Sequence, residues 1–66
     1  MSIVKVIEVI AESKKSWDDA AGNAVKEAAK SVRNIKSLYV EGMQAVVEKD
    51  KIVKYRINAK LSFLVD

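Results

Sequence analysis

The sequence contains no cysteine, no histidine, no proline and only two glycines among its 66 residues. Without cysteine there is neither a disulfide nor a thiolate metal site to hold so short a chain together. Without histidine, Ser-His and Cys-His nucleophilic chemistry and His-ligated zinc are excluded, so the usual parts of an enzyme are missing. Aromatic residues make up only 6% of the chain. No apolar run approaches the roughly 18 residues of a membrane-spanning helix. The N-terminus shows no basic region followed by an apolar stretch and a small-residue cleavage site, so the expected address is cytoplasmic, with no membrane partner.

What is present is apolar. Half of the residues are hydrophobic, and 12 Lys+Arg stand against 9 Asp+Glu for a formal charge of +3. That composition fits one folded domain over residues 1–66 rather than a disordered tail. A domain of about 60 residues buries only about 60% of its unfolded surface and is marginal alone. Lacking disulfides and metal staples, such a chain gains stability by association, and its apolar half exceeds the needs of one small core. Self-association is therefore expected.

Few breaks interrupt the chain. Residues 2–11 are dense in Val and Ile, with apolar groups on both faces, which predicts a strand covered on both sides. Glu12-Ser13-Lys14-Lys15 reads as a polar loop. Ser16 with Asp19 three residues on has the spacing of a capping box, and Asp18 and Asp19 suit the positive end of a helix. Trp17, Ala20, Ala21, Ala24, Val25, Ala28, Ala29, Val32 and Ile35 recur at three- and four-residue steps, predicting an amphipathic helix over 17–35. Its many alanines suit close packing on a sheet, with Gly22 tolerated at about 1 kcal/mol. Residues 37–47 predict a second strand with a bulge or bend at Gly42. After a charged turn over 48–51, residues 52–65 alternate strictly. Val53, Tyr55, Ile57, Ala59, Leu61, Phe63 and Val65 take one face; Lys54, Arg56, Asn58, Lys60 and Ser62 take the other. This strand pairs antiparallel with the one before it.

The fold class is therefore α+β, with the order β-α-β-β. The last strand spans roughly 40–45 Å at about 3.3 Å per residue. A nineteen-residue helix reaches only about 28 Å and shields one face. Unpaired sheet edges add to the uncovered surface, and other copies of the chain are the natural cover.

Several of these pieces occur together in one known family. Val6-Ile7-Glu8-Val9-Ile10, the Ser13 loop, the alanine-rich helix (Ala20, Ala21, Ala24, Ala28), Arg33 and Ile35, Tyr55, and the closing Leu61-Ser62-Phe63-Leu64-Val65 resemble the dodecins over nearly the whole chain. The resemblance implies a three-stranded antiparallel sheet partly wrapped around one helix, and a homododecamer of trimers forming a hollow shell. It implies a non-enzymatic protein that sequesters a flavin (riboflavin, FMN or FAD). Family members stack a Trp on the flavin just beyond the helix and use a Gln in the last strand. The matching positions here are Ser37 and Arg56, which are thereby the candidate cofactor-binding residues. A hydroxymethyl group has no π surface, and a guanidinium donates but does not accept. Trp17 is too far along the chain to replace the lost ring; Tyr39 is nearer.

A subgroup of the family lacks both residues, and some of its members are described as calcium-binding. That makes calcium the alternative ligand, with Glu8, Glu12, Asp18, Asp19, Glu41, Glu48 and Asp50 as oxygen donors to consider and no EF-hand spacing among them. Lys54, Arg56 and Lys60 line one strand face; they pair with Glu41 or Glu48 across strands, remain solvated, or attract a small anionic ligand. No recognition-helix motif is present, so nucleic acid is not expected as a partner.

Overall fold

The computed structural model describes residues 3–65. β1 (Ile3–Ser13), α1 (Trp17–Ala28), β2 (Ile35–Glu48) and β3 (Lys51–Val65) follow in the expected order. The sheet order is β1-β3-β2, with both pairings antiparallel. β1 and β2 are thus the edge strands, and α1 is the crossover that carries the chain from one edge to the other above β3. The strictly alternating strand is central because both its faces have work: apolar side chains meet the helix and polar ones line the open side.

The buried hydrophobic residues are Ala20 and Ala24 of α1 and Ile57, Ala59 and Leu61 of β3. Val9, Ala11, Trp17, Ala21 and Leu38 pack around this centre. Alanine at the helix contact lets the backbone of α1 approach the sheet closely, as its sequence stripe implies.

Element boundaries differ from the expectation in ways the backbone explains. The helix ends at Ala28, not at residue 35. Lys30 N–H turns to the Glu27 carbonyl and Ser31 N–H to that of Ala28, and Asn34 takes a left-handed φ of 61°. Ile35 must already lie opposite Phe63 on β3, so the chain has to reverse within residues 29–34. Glu12 and Ser13 belong to β1 rather than to a loop, because β3 is long enough to keep pairing them, with Arg56 and Tyr55. Ser2, expected in the first strand, lies outside the described residues. β2 exceeds its expected 37–47 at both ends, and β3 starts at Lys51 rather than 52.

Ser16 caps α1 in an extended conformation, its hydroxyl accepting from the Asp19 N–H at 3.0 Å. The second arm of the expected capping box is replaced. The Ser16 N–H donates to Ser13 Oγ at 3.4 Å, as does that of Lys15 at 2.9 Å, while the Ser13 hydroxyl donates to Asp19 Oδ2 at 2.6 Å. This one buried hydroxyl therefore joins the end of β1 to the start of α1.

The expected bulge at Gly42 is present as a register shift between Val40 and Gly42. A Cβ there would lie 2.5 Å from Asn58 Oδ1, so the close approach of Asn58 explains the glycine. Lys49 and Asp50 turn the β2–β3 hairpin with φ of 51° and 64°.

Candidate ligand face

The face of the sheet away from α1 carries the polar side of β3. Register sets its rows: Glu12, Arg56 and Gln44; Ile10, Asn58 and Gly42; Glu8, Lys60 and Tyr39; Val6, Ser62 and Ser37. Ser37 and Arg56 therefore share a face, yet they lie six positions apart along β3, or about 20 Å. One chain does not bring them together.

Each has a local partner. Ser37 Oγ lies 2.5 Å from Ser62 Oγ on the neighbouring strand. Arg56 donates from Nε and Nη2 to Glu12 Oε2, at 2.7 and 2.6 Å, and Lys54 Nζ approaches Oε1 at 3.8 Å. The hydrogen bond from Arg56, reinforced by the charges of Arg56 and Lys54 and opposed by partial desolvation, holds the Glu12 carboxyl below its ordinary 4.5. Lys60 meets Glu41 at 3.5 Å. The expected Glu41 pairing is thus present, whereas Lys54 and Arg56 turn to Glu12 rather than to Glu48. Local alternation does not reveal Glu12 as their partner, which only the β1–β3 register brings beside them.

The other carboxylates are dispersed. Asp19 is engaged by Ser13 and Asn23, Glu48 ends β2, and Asp50 sits in the hairpin turn. Among the described residues, no group of three or more Asp or Glu side chains converges as a metal site would need. A calcium ion seeks six to eight oxygens, so the described acidic side chains of one chain do not by themselves fit it.

Neither aromatic alternative duplicates a stacking Trp at position 37. Trp17 packs edge-on against Tyr55, with centroids 4.9 Å apart and planes at 76°, and its indole N–H donates to the Gln44 carbonyl at 2.9 Å. Its ring therefore ties α1 to β3 on the helix side of the sheet. Tyr39 is on the open face and 67% exposed, in register with Lys60.

Comparison with known proteins decides the family. The dodecin family model matches residues 3–66. The chain belongs to the dodecin family. Calcium dodecin of Mycobacterium tuberculosis is 38% identical over 63 residues, which is 96% of this chain and 89% of that protein. The crystal structure of the same calcium-chelating antigen superposes with a TM-score of 0.85 at 34% identity, covering 97% of this chain and 91% of that one. Dodecin from Streptomyces coelicolor superposes with a TM-score of 0.94 at 25% identity, over 98% and 93% of the two chains. The helix-wrapping sheet is thus a dodecin sheet. Among the described residues of this dodecin, no helix is long and apolar enough to cross a membrane.

Proposed function

We propose that this dodecin is a non-enzymatic, self-assembling binding protein whose ligand is a divalent cation, calcium foremost, rather than a flavin. The observation that carries this reading is the state of the two flavin positions: Ser37 bonds to Ser62 and Arg56 to Glu12, leaving neither a π surface nor a free amide. The 38% identical relative, a calcium dodecin, supports calcium as the replacement. Because the described carboxylates do not converge, the cation site is completed where copies of the chain meet, within a homododecamer of cytoplasmic address. Protein stripped with a chelator should take up calcium in equilibrium dialysis and gain thermal stability, while riboflavin, FMN and FAD at micromolar concentration should not be retained. Absence of calcium uptake together with an unchanged melting temperature would overturn the proposal. A second reading keeps flavin, with the exposed ring of Tyr39 in place of the missing Trp; flavin retention that is lost on Tyr39→Ala would select it.

A further inference from the structure

We propose that Arg56 and Lys54 form a binding site for an inorganic phosphate dianion, and that the carboxylate of Glu12 is its displaceable internal occupant. The inference stands on the open face of the sheet and does not depend on the cation reading above.

The donors are arranged as an anion receptor. Arg56 directs two N–H groups at one carboxylate oxygen, at 2.7 and 2.6 Å, and Lys54 approaches the other oxygen at 3.8 Å. A guanidinium fork flanked by an ammonium binds carboxylate and phosphate oxygens by the same charge-assisted hydrogen bonds. The charges do not balance, however. Two cations share one carboxylate, so the filled site keeps a formal positive charge. A dianion would neutralise both, whereas a monocarboxylate such as Glu12 cannot. Gln44, in register with Arg56 on the far side of β3, adds an amide to the same row.

Glu12 is placed to leave. It is the penultimate residue of β1, where the chain departs from the sheet toward α1. It also borders a depression of about 380 Å³ at the junction of β1 and α1, lined by Ser13, Lys14, Lys15, Asp19, Asn23 and Lys54. Its side chain is 35% exposed, against 39% for Arg56, so solvent and solutes reach both. Asp19, the other carboxylate in that depression, is held by the Ser13 hydroxyl and does not compete for Lys54.

The test is inorganic phosphate titrated at neutral pH into the assembled protein by calorimetry, with acetate as the monovalent comparison. Glu12→Gln removes the occupant's charge and should tighten phosphate binding about tenfold, the scale of one charge-assisted contact released for the ligand. Adding Arg56→Gln to that variant should abolish the gain, and acetate should bind more weakly than phosphate throughout. Glu41→Gln changes the net charge equally on the same face, next to Lys60, and should leave phosphate affinity unchanged. An equal gain in Glu41→Gln, a gain that survives Arg56→Gln, or no difference between wild type and Glu12→Gln would each overturn the proposal. So would failure of both Glu12→Gln and Glu12→Ala to fold, because Glu12 would then be a structural member and not a displaceable one.

Discussion

At the scale of single residues, the cross-strand pair of Glu12 and Arg56 is the most consequential feature of the open face. It supplies the Arg56 cation with its own counter-ion on the neighbouring strand. Because the Arg56 hydrogen bond lowers the folded-state pKa of Glu12, the stabilisation is present above the unfolded value near 4.5 and is lost as pH falls through the lower folded value. Glu27, held down in the same direction by Lys30, adds a similar trend from the helix surface. The difference between wild type and Glu12→Gln isolates the first contribution. Melting temperatures recorded from neutral pH downward should show wild type ahead above pH 4.5 and the gap closing below it. A gap that persists in strong acid would mean that Glu12 acts through packing rather than charge. The sequence showed the cations of this pair without showing their partner. Alternation placed Lys54, Arg56 and Lys60 on one face because that pattern is local. Their pairing depends on which strand lies beside β3, and strand order is a property of the folded chain.

At the scale of elements, the parts read most securely were those whose signal is periodic. The alternation of β3, the alanine stripe of α1 and the Ser16 cap are all present as the spacing implies. The helix is shorter than its periodicity predicts because Val32 and Ile35 continue the three- and four-residue rhythm while serving a turn and a strand. The left-handed Asn34 marks the turn into β2 and not the helix end, whose cap Ala29 is right-handed and carries no glycine or asparagine signal. The β2–β3 hairpin shows the same logic in its tightest form. Both central residues, Lys49 and Asp50, have positive φ, as a two-residue type I′ turn demands, yet neither is the favoured Asn-Gly. A non-glycine residue in this region costs roughly 1–2 kcal/mol. Asp50→Gly should therefore stabilise the protein by about 1 kcal/mol, visible as a raised denaturant midpoint with unchanged slope. A lowered midpoint would show that the Asp50 side chain contributes more at the turn than its backbone loses.

At the scale of the molecule, shape and burial point to one conclusion about stability. The chain extends over 51 × 20 × 14 Å, while a twelve-residue helix covers only about 18 Å of that length. Both edge strands expose large apolar side chains, among them Ile10 at 73% on β1 and Met43 at 60% on β2. Among the described residues, five buried hydrophobics, three of them alanine, make a core too small to offset the entropy of ordering the rest. If other copies cover the exposed apolar surface, as proposed above, stability becomes a function of protein concentration. The melting temperature should rise over about a hundredfold increase in concentration, with light scattering reporting the assembly at each point. Ile10→Lys sharpens the test. On an isolated chain, so exposed a substitution changes stability by at most about 0.5 kcal/mol. In an assembly that buries this strand, it places a charge against apolar surface and should release subunits along with their fold. A variant as stable as wild type at every concentration, and still assembled, would show that copies meet through β2 and the helix side and leave the β1 edge free.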